Sequence, residues 1–132
     1  MVLMRRFPLG EFLGFEYHFT AEGCEIDFEP RPEYQNPRGT LHGGVLCDLA
    51  DAAMGLAWAL RVGDEQPFTT VELKINFLKP VWDSRLHAVG SVLKGGRTIG
   101  LLACDIFDQK GSLVAHATST VMMLDADAAK GR

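Results

Sequence analysis

A histidine and an aspartate nine positions apart, His42 and Asp51, are the residues of this sequence best placed to do chemistry. Two glycines follow the histidine and a long apolar stretch follows them, so a helix is predicted to begin at this point. The first turn of a helix carries unpaired N–H groups and the positive end of the helix dipole. Such a terminus can bind an anion, including an oxyanion formed during a reaction.

Helix geometry separates the two candidate side chains. Nine residues at roughly 100° each place Asp51 about half a turn from His42 and roughly 13 Å along the axis. The two side chains therefore cannot meet within one helix. If they share a site, that site is assembled from two chains. Asp51 also places a charge inside an apolar helix, which is unfavourable unless the carboxylate is paired or functional.

The elements that position these residues are one helix and a set of strands. An apolar stretch with almost no polar face predicts a helix at 42–61 that is buried nearly all round. Alternating residues predict a hairpin at 15–19 and 24–28, and strands at 71–77, 86–94, 97–107 and 113–124. Gly95-Gly96 is predicted to be a two-residue hairpin turn. We expect a single α+β domain over 1–132, in which a curved antiparallel sheet wraps the helix and 125–132 is a frayed tail.

Composition narrows the class of protein. The chain has 132 residues, 47% of them apolar, and a formal net charge of −4 without a basic stripe, which argues against nucleic-acid binding. Polar residues and a glycine interrupt the longest apolar stretch, so no membrane span is expected. The first ten residues lack the apolar stretch of a secretory signal. Three cysteines, Cys24, Cys47 and Cys104, lie in apolar or strand-like segments and are expected to be reduced and buried in a cytoplasmic protein.

Several motifs together resemble one family. Asn36, the His42-Gly43-Gly44 motif and Asp51 resemble the active-site signature of hotdog-fold acyl-CoA thioesterases of the PaaI-like (phenylacetyl-CoA thioesterase) branch. Residues 70–80, TVELKINFLKP, resemble the central strand of that family, and residues 94–98, KGGRT, resemble its hairpin. The resemblance covers about residues 12–124. It implies a hotdog fold, a homodimer that joins two sheets edge to edge, often a dimer of dimers, and hydrolysis of a coenzyme A thioester.

The same resemblance implies roles for the residues of the motif. Asp51 would be the nucleophile or the general base, and the sequence does not choose between them. Gly43 would supply an oxyanion N–H, and Gly44 would bind substrate at the same helix terminus. His42 would orient the loop or donate to the thioester carbonyl, although a histidine at this point is often only a helix cap. Asn36 would hold the attacking water or the acyl carbonyl, although Asn-Pro alone predicts a turn.

Three further residues surround the predicted acid. Thr70 occupies the position at which the family commonly has a serine or threonine near the acid, and Thr69 is the fallback. Asp48 is a rival to Asp51, since it lies one turn earlier where the family usually has a small or hydroxyl-bearing residue. Two carboxylates at i and i+3 would raise the pKa of one of them by repulsion.

Other candidates concern substrate and metal. Lys79, Lys94 and Arg97 lie at strand ends, where they could bind the phosphates of coenzyme A. No cofactor is expected, because coenzyme A is part of the substrate. The three histidines outside the motif have no metal-like spacing, so no metal is predicted; they are His18, His87 and His116. An acyl pocket could be lined by residues at the far end of the helix or just after it, namely Met54, Trp58 and Phe68.

Three functions remain open at this stage. The first is an acyl-CoA thioesterase acting on an aryl or medium-chain acyl group. The second is a hotdog hydratase or dehydratase acting on an enoyl or 3-hydroxyacyl thioester, in which the histidine is commonly followed by phenylalanine; His42-Gly43 does not match. The third is a non-catalytic acyl-CoA-binding module, against which Asp51 argues because a binder needs no carboxylate beside a thioester.

Overall fold

A computed structural model describes residues 6–63 and 65–125, which form one helix-and-sheet layer pair. The predicted tail at 125–132 lies outside these residues apart from Asp125. The elements in chain order are helix α1 (Pro8–Leu13), strands β1 (Glu16–Phe19) and β2 (Gly23–Phe28), a short 3-10 helix (Pro32–Tyr34), helix α2 (Gly43–Val62), and strands β3 (Phe68–Phe77), β4 (Leu86–Gly95), β5 (Ile99–Asp108) and β6 (Leu113–Met123).

Helix α2 begins and ends at the residues that the sequence indicates. His42 is its N-cap, and Gly63 ends it with a φ of 95°, a conformation that glycine adopts readily. One face of the helix packs on the sheet, and the buried residues on that face are Leu46, Leu49, Ala50, Ala53, Met54, Ala57 and Trp58. The opposite face, which includes Asp48 and Asp51, is exposed. The prediction of a helix buried nearly all round is therefore wrong, because the curved sheet covers only one side of it.

The six antiparallel strands are ordered β1-β2-β4-β5-β6-β3. Strands β4, β5 and β6 form the expected meander, whereas β3 crosses to the far side and pairs with β6. The segment that resembles the central strand of the family is thus an edge strand within one chain. Its other edge pairs with no strand among the described residues.

The turn between β4 and β5 differs from its prediction. Gly95 still belongs to β4, and Gly96 N–H donates to the Ile99 carbonyl at 2.8 Å, so Arg97 and Thr98 form the turn. Neither glycine has a positive φ. A Cβ at Gly95 would lie 2.8 Å from the guanidinium carbon of Arg61, which is the end of a flexible side chain and can shift. Arg61 occupies the last turn of α2, where a cation interacts favourably with the helix dipole.

Helix α1 was not predicted from the sequence. Pro8 occupies its first turn, and Gly14 ends it with a φ of 83°, so both signals were present but the helix has only six residues. The Phe7 ring, just before α1, lies 6.3 Å from the ring of Phe15 and 6.3 Å from the ring of Tyr17. These contacts hold the N-terminal segment against the first hairpin.

The three cysteines are free thiols. Cys24 and Cys104 are buried, and burial raises the pKa of each to about 12, so both thiols are inert near neutral pH. Cys47 is only half-buried, which differs from the expectation for this residue. No helix among the described residues is long and apolar enough to span a membrane.

Candidate active site

The predicted acid has a hydroxyl partner. Thr70 Oγ1 donates a hydrogen bond to Asp51 Oδ1 at 3.0 Å, which joins the start of β3 to the exposed face of α2. Asp51 Oδ2 has no hydrogen-bond partner within the described ranges. Asp51 is thus held in place through one carboxylate oxygen, while the second can accept a hydrogen bond from a water molecule or approach a substrate carbon. The carboxylate is exposed in the single chain rather than buried, contrary to the expectation from the sequence.

A β-bulge in β3 places Thr70 on the helix side of the sheet. Thr70 pairs with Val121 and Glu72 pairs with Thr120, so Val71 is an extra residue in the ladder. The alternation of apolar and polar residues predicts that Val71 and Leu73 lie on the same face of β3. The bulge instead leaves Val71 50% exposed and allows Thr70 to face the helix.

Asp48 and Thr69, the two alternatives, lie away from this hydrogen bond. Asp48 has no hydrogen-bond partner among the described residues, and burial and then the nearby charge of Asp51 raise its pKa above the ordinary value of 3.8. The expected rise in one pKa of the pair thus falls on Asp48, although burial contributes more than repulsion. Thr69 is exposed and pairs with Met122, and its hydroxyl makes no hydrogen bond among the described residues.

The N-terminus of α2 offers one backbone donor. His42 Nδ1 accepts a hydrogen bond from Gly44 N–H at 3.0 Å, so His42 acts as the helix cap. This leaves the N–H of Gly44 already engaged, which argues against its predicted role in substrate binding. The N–H of Gly43 has no partner among the described residues. A Cβ on Gly43 would lie 3.0 Å from the Phe77 ring, so the absence of a side chain makes room for that ring.

Asn36 organises the loop that precedes the helix. Its Oδ1 accepts from the N–H groups of Arg38 at 2.9 Å and Thr40 at 3.2 Å, and its Nδ2 donates to Thr40 Oγ1 at 2.8 Å. The amide therefore closes a turn, which is the alternative that the Asn-Pro dipeptide favoured. Its hydrogen bonds are used within the loop, so the structure does not show the amide aimed at a substrate.

The three candidate cations do not form one group within the chain. Lys79 Nζ pairs with Asp108 Oδ2 at 2.7 Å, at the end of the sheet where Asp108 faces Leu86. Lys94 and Arg97 lie at the opposite end of β4. The eight residue steps from Leu86 to Lys94 correspond to roughly 25 Å, so one phosphate group cannot contact all three side chains of one chain.

An open depression of about 500 Å³ lies beside Asp51. It is mainly apolar and is lined by Phe7, Asp51, Ala52, Gly55, Leu56, Ala59, Phe68, Thr69 and Thr70. Of the three predicted pocket residues only Phe68 lines it, because Met54 and Trp58 are buried in the core on the sheet side of α2. Sequence reasoning missed Phe7, whose position depends on α1.

The remaining histidines lie on the outer face of the sheet and pair with acids. His87 Nδ1 lies 2.8 Å from Asp27 Oδ1, and His116 Nδ1 lies 2.7 Å from Asp105 Oδ1. No cluster of histidine, cysteine and acidic side chains within 6–63 and 65–125 is arranged to hold a metal ion.

The fold, one long helix on a curved antiparallel sheet, is the hotdog fold of the thioesterase superfamily. The family model of the thioesterase superfamily matches residues 38–115, and the chain belongs to that superfamily. The match contains Asp51, Thr70 and the start of α2.

Two relatives and one solved structure are similar to this chain. A protein of Saccharolobus solfataricus named "Putative esterase SSO2140" is 34% identical over 75% of this chain and 70% of its own length. The 1,4-dihydroxy-2-naphthoyl-CoA hydrolase of Escherichia coli is 29% identical over 81% of this chain and 79% of its own length. The structure of a point mutant of the phenylacetic acid degradation protein PaaI of Thermus thermophilus superposes with a TM-score of 0.81 at 28% identity, covering 89% of this chain and all of that one.

Proposed function

We propose that this protein is an acyl-CoA thioesterase that hydrolyses an aryl or medium-chain acyl-CoA to the free acid and coenzyme A. The observation that carries the proposal is the Asp51 carboxylate, held by Thr70 at 3.0 Å on the edge of an apolar depression. A positioned carboxylate beside an apolar cavity suits attack on the carbonyl of a bound acyl group. The named hydrolase of Escherichia coli, which acts on an aryl-CoA, supports the substrate class.

Two routes fit this geometry. In the first, Asp51 removes a proton from water, the hydroxide adds to the thioester carbon, and the C–S bond breaks as the thiolate leaves and takes up a proton. In the second, an Asp51 oxygen adds to the carbon, the thiolate leaves, and water then cleaves the resulting anhydride. Single turnover in ¹⁸O-labelled water, followed by mass spectrometry of the peptide containing Asp51, tests for the second route. Water that attacks the Asp51 carbonyl carbon of the anhydride leaves label in that carboxylate, whereas the first route places label only in the released acid.

The N–H of Gly43 is the proposed donor to the developing oxyanion. It has no partner among the described residues and lies at the positive end of the α2 dipole. Asp51 lies further along α2, at a distance that corresponds to roughly 12 Å of axial rise. The Gly43 donor and the Asp51 carboxylate of one chain therefore cannot act on the same carbonyl.

A homodimer through β3 resolves this separation. Strand β3 is ten residues long, its outer edge is unpaired in the described chain, and it carries the exposed side chains of Val71 and Phe77. Long apolar edges readily pair with a second strand. In such a dimer each site would combine Gly43 of one chain with Asp51 of the other.

The outer face of the sheet supports a dimer of dimers. Four large apolar side chains are exposed there, between 40% and 56%, and they are Leu93, Ile99, Leu101 and Met122. An apolar patch of this kind on a sheet face favours association.

We also assign the protein to the cytoplasm, where free thiols persist. We assign Lys94 and Arg97 to binding the phosphates of coenzyme A. Lys79 is already paired with Asp108 and contributes less.

A thiol-release assay tests the proposed function. Wild-type protein and the Asp51→Asn variant are incubated with a panel of acyl-CoAs, and free thiol is trapped with a chromogenic disulfide. The proposal expects thiol release by the wild type and a loss of at least about a hundredfold in kcat for the variant. Hydration of an enoyl-CoA without thiol release would indicate a hydratase. Binding of acyl-CoA without either reaction would indicate a binding module.

A further inference from the structure

We propose that the acyl group is a straight chain that lies along helix α2 from Asp51 to Ala59, and that Gly55 and Ala59 limit its length to about ten carbons. This inference rests on the proposed thioesterase function and names its substrate class. It follows from the residues that line the depression beside Asp51, because Asp51, Gly55 and Ala59 succeed one another along α2 toward the C-terminal end of the helix.

The spacing of residues along the helix makes this face of α2 a ruler, that is, a surface whose length limits the length of the acyl chain bound along it. Asp51, Gly55 and Ala59 follow one another at i, i+4 and i+8, and all three line the depression. At about 1.5 Å per residue, Gly55 lies roughly 6 Å and Ala59 roughly 12 Å from Asp51 along the axis. All three therefore lie along one side of the same channel.

Gly55 keeps the channel open at its midpoint. A Cβ built on Gly55 meets no heavy atom within 4 Å, whereas one built on Gly90 or Gly100 meets an atom at 2.4 or 2.6 Å. Packing within the chain therefore does not account for a glycine at this position. Glycine inside a helix is less favourable than alanine. The open space above it provides room for a ligand.

Two phenylalanines form the walls of the channel. Phe68, the first residue of β3, is half-buried and lines the same depression as Ala59. Phe7 lines the depression from the N-terminal segment, and its ring packs so closely on Gly10 that a Cβ there would lie 2.5 Å away. Aromatic walls and small residues along the helix form an apolar channel suited to methylene groups.

The bond geometry of an extended carbon chain converts these distances along the helix into a number of acyl carbons. An extended carbon chain with bonds of about 1.5 Å and angles of about 111° advances about 1.25 Å per carbon. The roughly 12 Å from Asp51 to Ala59 then corresponds to about ten carbons, and the roughly 6 Å to Gly55 corresponds to about five. The channel therefore predicts preference for medium-length straight chains, with acyl groups beyond about ten carbons left partly in water.

Filling the channel at two depths tests the ruler. The ratio of kcat/KM for straight-chain acyl-CoAs of 4 to 14 carbons is measured for the wild type, Gly55→Leu, Ala59→Leu and the smaller change Gly55→Ala. A ratio between substrates is independent of how much enzyme is folded or assembled. The wild type should peak at 8 to 10 carbons, Gly55→Leu at 4 to 6, and Ala59→Leu at an intermediate length, while Gly55→Ala should stay near the wild type.

Each methylene that loses its apolar contact should lower kcat/KM about fourfold. Gly55→Leu should therefore reduce the 10-carbon to 4-carbon ratio at least tenfold. An unchanged ratio in both leucine variants, or a wild type that is insensitive to chain length and prefers phenylacetyl-CoA, would overturn the ruler while leaving the thioesterase intact. Absence of thiol release by the wild type with every acyl-CoA would instead reject the proposed function. If Gly55→Leu does not fold, Ala59→Leu provides the same comparison.

Discussion

Thr70 Oγ1 donates to Asp51 Oδ1 across 3.0 Å, and this hydrogen bond joins an edge strand to the middle of the helix. This hydrogen bond forms because the β-bulge at Val71 turns the Thr70 side chain toward α2. Thr70 is a positioning residue, since it fixes the carboxylate rather than touching the reacting atoms.

Replacing Thr70 tests this positioning. Thr70→Val keeps the shape and removes the donor, so kcat should fall about tenfold, the order expected for a hydrogen bond to a charged group. KM should change little, because the acyl channel is retained. Thr70→Ser keeps the hydroxyl and should recover most of the activity. Steady-state kinetics of the wild type and the two variants measure these changes. Equal activity of the valine variant and the wild type would contradict a positioning role for Thr70.

The second acid of the helix should be dispensable. Asp48 has no hydrogen-bond partner among the described residues, and it lies outside the depression beside Asp51. We expect Asp48→Asn to keep kcat within about threefold of the wild type, whereas Asp51→Asn should lose at least about a hundredfold. Measured kcat values in the reverse order would transfer the catalytic role to Asp48.

The proposed oxyanion donor can be removed by proline. Gly43 is the first residue of α2, a position that tolerates proline, and His42 has φ −64° and ψ 134°, which fits a residue before proline. Gly43→Pro deletes the N–H and should lower kcat roughly 10²- to 10³-fold.

The matched control for this change is Gly43→Ala, which keeps the donor. Its methyl group would press on the Phe77 ring, which is 55% exposed and free to shift. The alanine variant should therefore lose distinctly less activity than the proline variant. Equal losses in two folded variants would show that Gly43 provides steric access rather than a hydrogen bond.

Mixed dimers test whether the site is shared between chains. Gly43→Pro and Asp51→Asn proteins, each nearly inactive, are combined under conditions that exchange subunits. If each site uses Gly43 of one chain and Asp51 of the other, random pairing should restore about a quarter of wild-type activity, because half of the dimers carry one intact site. Verified exchange by native mass spectrometry with no recovered activity would place both residues of a site in the same chain.

The Lys79–Asp108 pair predicts a pH-dependent contribution to stability. The hydrogen bond from Lys79, followed by the backbone N–H of Ser112, lowers the pKa of Asp108 below its ordinary value of 3.8. A lowered folded-state pKa stabilises the fold above the ordinary pKa, and this contribution is lost as the pH falls below 3.8 toward the folded-state value. Asp108→Asn should thus lower Tm slightly at pH 7 and leave it unchanged at a pH below the folded-state pKa.

Thermal unfolding followed by circular dichroism at both pH values checks this prediction. Lys79→Met is the matched variant, because it removes the cation and leaves the hydrogen bonds that Asp108 accepts in the turn. It should also lower Tm at pH 7 while leaving KM for acyl-CoA nearly unchanged. A large rise in KM would instead assign Lys79 to coenzyme A binding.

Local sequence signals predict helix α2, the strands and the candidate site residues, although they did not predict α1. The cap at His42, the two glycines and the apolar period define α2, and alternating residues define the strands, because these signals depend on neighbours along the chain. The family resemblance added the hotdog fold, which the structure and the superfamily match confirm. The same resemblance predicts both Asp51 and Thr70 as site residues, and the structure brings the two into contact.

How these elements and candidate site residues meet depends on the tertiary structure. The crossing of β3 to the sheet edge, the bulge at Val71 and the packing of Phe7 on α1 depend on contacts between residues far apart in sequence. The same contacts expose the Asp51 face of α2, engage Asn36 within its own loop and separate Lys79 from Lys94. Local periodicity carries no information about which strand borders which, since strand order depends on how the whole sheet closes over one side of the helix.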